Sequence, residues 1–227
     1  MSGYYSDKLS ADRLIKCYAL APPRVQQYLK AESDHVLKTI KSGDLVLDLG
    51  CGYGRIMGEL AREAGFVIGI DTSRSSLLLG KKRFQSISNC LFMEMDASNL
   101  IFLEETFDVV ICIQNGISAF QVDQHRLISE AIRVTKPGGT VLFSTYSEKF
   151  WKERLHWFEL QAQAGLVGEI DYEKTGNGVI VCKDGFKATT VSADRFLALA
   201  SNFEADVKIE EVDESSLFCE MMKRSKI

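Results

Sequence analysis

Apolar residues in this chain gather into short runs separated by mixed segments, starting at residue 45. The runs LVLDL (45–49), FVIGI (66–70), LFMEM (91–95), DVVICI (108–113) and TVLFST (140–145) are five or six residues long and nearly continuous in apolar character. Continuous rather than alternating runs are the pattern of strands covered on both faces. The intervening segments are long enough for crossover helices, so the pattern predicts βα repeats and a mostly parallel sheet. Ahead of the first run, residues 1–40 read as two helices broken at Pro22 and Pro23. Beyond the fifth run, SEKFWKERLHWFELQAQAG (147–165) predicts an aromatic helix, with Phe150, Trp151, Leu155, Trp157 and Phe158 making a broad apolar face. Short alternating strands follow, punctuated by Gly176-Asn177-Gly178 and Asp184-Gly185. A short helix and a closing hairpin, VKIEEVD with SLFCEMM, end the chain.

The first run leads into a loop with glycines at alternate positions, Gly50, Gly52 and Gly54. Without Cβ atoms, such a loop turns sharply and lets a ligand approach the backbone. The spacing is G-x-G-x-G, with Arg55 where a dinucleotide fold has its third glycine, and Asp48 stands two places before Gly50. A dinucleotide pyrophosphate needs that third glycine to bring a helix N-terminus close. A sulfonium amino acid linked to adenosine instead offers an ammonium group for a carboxylate. Ligands in parallel sheets bind beyond the carboxyl ends of the strands. There the second run ends in Asp71, followed by Thr72, placed to accept from both ribose hydroxyls. The third ends in MDAS, where Asp96 can accept from an exocyclic adenine amine and the amides of Ala97 and Ser98 can meet the ring.

In order and spacing, DLGCGYG (48–54), GIDTS (69–73), MDAS (95–98), FDVVICI (107–113) and RVTKPGGTVLFSTY (133–146) resemble the class I S-adenosylmethionine-dependent methyltransferases, in their small-molecule branch. The resemblance implies an α/β, Rossmann-like, seven-stranded, mostly parallel sheet with a reversed C-terminal strand and helices on both faces. S-adenosyl-L-methionine is the implied cofactor. The Gly50–Gly54 loop, with Cys51 inside it, would lie along the methionine part, Asp71 would hold the ribose, and Asp96, Ala97 and Ser98 would frame the adenine. KPGG (136–139) would be a turn before the fifth strand. An N-terminal lid folds over the site in such enzymes, an arginine from it meeting the methionine carboxylate; Arg24 is the candidate by position. Tyr5, in the same tyrosine-rich segment, is a further candidate cofactor contact. CIQNGISAF (112–120) looks like the corresponding stretch of glycine N-methyltransferase-like enzymes, with Gln114 near the cofactor and Asn115 as acceptor contact. The N-P-P-Y type signature of many base-amine methyltransferases is missing.

Composition narrows the picture. The chain has 227 residues, 46% apolar and 26% charged, which is enough for one domain with a proper core. The expected organisation is a lid over 1–40, a cofactor-binding core over 41–146, an antiparallel insertion walling the acceptor pocket over 147–191, and a closing helix and hairpin over 192–227. A net charge of −4 argues against a broad nucleic-acid footprint, and Lys81, Lys82 and Arg83 read as a solvated helix face. Six cysteines form no metal spacing, so none is assigned to a metal, and they read as thiols of a reducing cytoplasm. No signal-peptide pattern or membrane-length apolar stretch occurs. His125 either approaches the pocket as a base or sits idle in a first helical turn capped by Asp123. The function expected is methyl transfer to a small molecule; a protein or RNA acceptor, or a cofactor-binding module without turnover, are the alternatives.

Overall fold

The computed structural model describes Tyr4 and residues 8–225. Its helices are α1 (Asp12–Ala19), α2 (Pro23–Leu37), α3 (Met57–Glu63), α4 (Arg74–Arg83), α5 (Gly116–Ala119), α6 (Gln124–Val134), α7 (Trp151–Gln163) and α8 (Ala193–Ala200). Its strands are β1 (Leu45–Leu49), β2 (Phe66–Asp71), β3 (Cys90–Glu94), β4 (Phe107–Cys112), β5 (Thr135–Tyr146), β6 (Ile180–Val181), β7 (Lys187–Ala188), β8 (Ala205–Val212) and β9 (Ser216–Lys223). Pro22 and Pro23 stand at the N-cap and first turn of α2, where a missing N–H costs nothing. Ser73, Asp123 and Ser192 cap α4, α6 and α8 by accepting from backbone amides of the first turn.

Seven strands form one sheet in the order β3-β2-β1-β4-β5-β9-β8. The first five are parallel; β9 runs antiparallel between β5 and β8, giving the expected reversed strand. The KPGG segment lies within β5 and not before it. Phe107 pairs with Thr135 and Val109 with Thr140, so residues 136–139 bulge opposite Asp108, whose carboxylate takes Lys136 at 2.8 Å and the Leu45 amide at 2.9 Å.

One crossover departs from the βα pattern. Residues 95–106, between β3 and β4, carry no helix. Asp96 accepts from the Ser98 amide and hydroxyl, a local turn that competes with helix formation. The α6 side chains then satisfy the extended backbone: Glu130 accepts from the Leu100 amide, and Arg133 donates to the Leu100 and Phe102 carbonyls.

Core residues pack on both sheet faces. A further cluster joins Leu9 and Cys17 to Phe158, Ile170, Ile180 and Phe186, fastening α1 and the residue Leu9 ahead of it to the 147–191 segment. Arg13 reinforces this by donating to the Gly165 and Leu166 carbonyls at 2.8 Å. Among the described residues no helix is long and apolar enough to cross a membrane.

Candidate active site

A cavity of about 330 Å³ opens at the carboxyl ends of β1, β2 and β4, under α1 and α7. Its floor is built by backbone. The Gly50 and Cys51 amides both donate to the Ile70 carbonyl, at 2.8 and 2.9 Å, sewing the glycine loop to the end of β2. Gly50 takes φ +78°, and a Cβ there would lie 2.3 Å from the Phe120 ring, so only glycine lets the loop after β4 close over this turn. Asp71 holds the loop from the other side: Oδ2 accepts from the Gly52 amide at 2.9 Å and Oδ1 from the Ser73 amide at 2.7 Å. A carboxylate has about four lone-pair sites, so each oxygen retains capacity toward the cavity that Asp71 lines. Burial pushes its pKa up, while these amides pull it down.

Asp48 is 4% exposed and lines the same floor, yet none of the described residues donates a hydrogen bond to its carboxylate. Burial pushes its pKa up to about 7, opposed by Arg55 and assisted by the neighbouring charges of Asp71 and Glu32. An uncompensated buried carboxylate of this kind is stabilised by a cationic ligand. Arg55 lines the cavity immediately after the glycine loop. Its guanidinium pairs with Glu32 at 3.2 Å and lies 5.6 Å from the Tyr18 ring centroid. Glu32, wholly buried on α2, also accepts from the Gln114 amide (2.9 Å) and Ser144 Oγ (2.6 Å). One carboxylate from the N-terminal helices thus ties together the glycine-loop arginine and the ends of β4 and β5.

The roof is built by side chains. Tyr18 of α1 donates to the Gln114 side-chain oxygen Oε1, and Trp157 of α7 donates to the Cys17 backbone carbonyl at 2.9 Å. Tyr146 ends β5 in the same wall, with the Arg154 guanidinium 4.5 Å over its ring. Burial raises both the Cys17 thiol and the Tyr146 hydroxyl to about 12, so neither ionises near neutral pH. Gln161, 3% exposed, completes this wall from the last turn of α7.

Of the residues expected from sequence, the fold brings Asp48, Gly50, Cys51, Gly52, Asp71, Thr72, Asp96, Ala97 and Gln114 to the cavity. Burial raises the Cys51 thiol well above its ordinary range, so a nucleophilic role has no support. Gly54 and Ser98 lie behind the lining: Gly54 turns the loop at φ +84° against Phe92, and Ser98 braces Asp96. Three assignments are not borne out by geometry. Arg24 is bound by Asp213 at 2.7 Å, away from the cavity. Asn115, held at φ +64°, spends its amide within the protein, accepting from Thr145 Oγ1 at 2.7 Å and donating to the Thr189 carbonyl at 2.8 Å. His125 is exposed in the first turn of α6, its ring 5.0 Å from Phe203, with Asp123 as the helix cap. Tyr5 lies outside the described residues.

The sequence reading missed Glu32, Arg55 and Gln161. Arg55 follows the glycine motif directly. The second signal was helical spacing: the buried positions of α7 are Arg154, Trp157, Phe158 and Gln161, an i, i+3, i+4, i+7 face that includes two polar residues. His35, Glu210 and Glu220 also converge, with possible ligand atoms within 4.8 Å, but His35 already hydrogen-bonds Glu220 at 2.7 Å and Lys208 pairs with Glu210.

Residues 46–139 match a family model described as a methyltransferase domain. The malonyl-[acyl-carrier protein] O-methyltransferase of Marinomonas sp. is 34% identical over 127 residues, covering 53% of this chain and 45% of that protein. The sterol 24-C-methyltransferase of Saccharomyces cerevisiae is 32% identical over 137 residues, covering 56% of this chain and 35% of that protein. The chain therefore spans less than half the length of these curated relatives. Among solved structures, the PH0226 protein of Pyrococcus horikoshii OT3 superposes with a TM-score of 0.67 at 21% identity, covering 97% of this chain and 98% of that one, a likeness of fold. The matched region carries the motif-bearing strand ends that surround the cavity, so this stretch is similar in sequence to methyltransferase domains.

Proposed function

We propose that the chain transfers a methyl group from S-adenosylmethionine to a small molecule enclosed between the glycine-loop floor and the α1–α7 roof. The observation that carries this reading is Asp48, a buried carboxylate that faces the cavity without a donor among the described residues, flanked by a glycine loop and by Asp71 and Asp96 at the next strand ends. Asp48 is assigned to the cofactor ammonium, Asp71 to the ribose hydroxyls, and Asp96 with Ala97 to the adenine. Arg55 is assigned to the methionine carboxylate in place of Arg24, because Arg55 lines the cavity whereas Arg24 is engaged by Asp213.

The bound sulfonium supplies an already activated methyl group. The protein has to hold nucleophile, carbon and sulfur in line and exclude water, and such positioning is able to supply roughly 7 to 11 kcal/mol. Support for a small acceptor comes from the roof: Leu14, Tyr18 and Trp157 close the cavity above the floor. The names of the relatives, one acting on a sterol and one on an acyl-carrier-protein-bound malonyl group, agree with a non-nucleic-acid acceptor, as does the net charge of −4.

Isothermal calorimetry tests the first half. S-adenosylmethionine and S-adenosylhomocysteine should bind and NAD should not at comparable concentration; equal binding of NAD would sink the assignment. Release of S-adenosylhomocysteine with small-molecule acceptor panels tests the second, and activity confined to RNA or intact protein would overturn it.

A further inference from the structure

Gln161 is the observation that reaches beyond methyl transfer as such. It is 97% buried as a residue, lines the cavity, and its carboxamide makes no hydrogen bond with any described residue. Its nitrogen and oxygen are nonetheless absent from the sealed, unpaired polar atoms of the interior, so they remain accessible from the cavity. A buried amide normally finds partners within the protein; here donor and acceptor are both left for a ligand.

The surroundings decide what that ligand is. Tyr18, Tyr146, Trp157 and Phe158 supply the roof, an aromatic set that favours stacked or edge-on flat rings. No lysine, aspartate or glutamate lies among the roof residues drawn from α1, α7 and the end of β5. The cavity's arginine, Arg55, is already paired with Glu32, and the carboxylates line the floor. Among the described residues, neutral Gln161 is thus the roof's polar side chain without a protein partner, and a charged group placed against it would leave water with no counterion lining the roof.

Building on the methyl-transfer reading, we propose that the acceptor is a neutral, flat aromatic molecule whose hydroxyl or carbonyl group hydrogen-bonds the Gln161 carboxamide, and that Gln161 determines acceptor specificity. In the transfer, the acceptor's nucleophilic heteroatom bonds to the methyl carbon, the carbon–sulfur electron pair stays on sulfur, and the heteroatom's proton leaves to solvent.

The test uses the full chain saturated with S-adenosylhomocysteine and follows quenching of tryptophan fluorescence, Trp157 being in the roof. The probes are 2-naphthol, 2-naphthoic acid and 2-naphthylmethylamine. Naphthol should bind at least tenfold more tightly than either charged analogue. Gln161→Met, similar in volume, should lose at least tenfold for naphthol while keeping its affinity for S-adenosylhomocysteine, and Gln161→Asn should fall between. Retained S-adenosylhomocysteine binding in both variants reports that the fold is intact. Equal or tighter binding of a charged analogue, or unchanged naphthol affinity in Gln161→Met, would overturn the proposal. Failure of the parent chain to bind S-adenosylhomocysteine at all would instead overturn the methyltransferase reading on which it rests.

Discussion

The floor and the roof of the cavity are built on different principles. The floor is made of strand ends, where backbone amides of the turns after β1 and β2 meet acceptors at the end of β2: Gly50 and Cys51 on the Ile70 carbonyl, Gly52 and Ser73 on the Asp71 carboxylate. The roof is made of side chains from segments far apart in sequence, with Tyr18 on Gln114 and Trp157 on the Cys17 carbonyl. Backbone-built sites tolerate little change because every residue there has a conformational duty. A side-chain roof is free to vary in shape and chemistry while the floor stays the same, which is the ground for proposing cofactor binding in the floor and acceptor choice in the roof.

The largest effect should come from breaking the floor. Asp71→Ala removes the acceptor of two loop amides as well as the assigned ribose contact. At roughly 1.5 to 3 kcal/mol for a hydrogen bond to a charged group, cofactor affinity should fall about 100-fold or more by calorimetry. An unchanged dissociation constant would remove Asp71 from the cofactor site.

Asn115→Ala addresses the joint between floor and roof. Losing its bonds to Thr145 and Thr189 should destabilise the fold by about 1 to 3 kcal/mol, read as a lowered denaturation midpoint. Loss of turnover with the midpoint unchanged would return Asn115 to the acceptor contact suggested by its motif.

Acid should weaken cofactor binding while favouring the unliganded fold. Burial raises Asp48 to about 7, so the folded protein without cofactor holds a proton that the unfolded chain releases near pH 4. Its stability should accordingly fall as pH rises from about 4 to 7, because the unfolded state binds fewer protons across that window. Cofactor affinity should run the other way, since the ammonium needs the ionised carboxylate. It should drop about tenfold per pH unit below 7, and Asp48→Asn should flatten that profile. A flat profile in the parent protein would break the ammonium assignment.

The smallest effect is expected at Arg24, about a third exposed in its pair with Asp213. Arg24→Ala should cost about 0.2 to 1 kcal/mol of stability and leave cofactor affinity unchanged. A marked loss of affinity would restore Arg24 as the carboxylate partner and displace Arg55.

Five apolar runs, three alternate glycines and acidic residues at successive strand ends determined the sheet and the floor of the cavity, because these groups act where they stand on a strand or in the turn that follows it. The same local logic located Pro22–Pro23 as the break between α1 and α2 and the closing hairpin as β8 and β9. Tertiary structure decided what depends on distant partners. It replaced the expected β3–β4 helix with a loop, because Glu130 and Arg133 of α6 satisfy that backbone. It turned Arg24 toward Asp213, drew Asn115 into the protein and left His125 outside, since a side chain's direction is set by the element packed against it and not by its neighbours in sequence. The roof was the least legible part: Glu32 and Gln161 lie on helices whose polar residues ordinarily face water, and only the packing of α2 and α7 over the strand ends buries them.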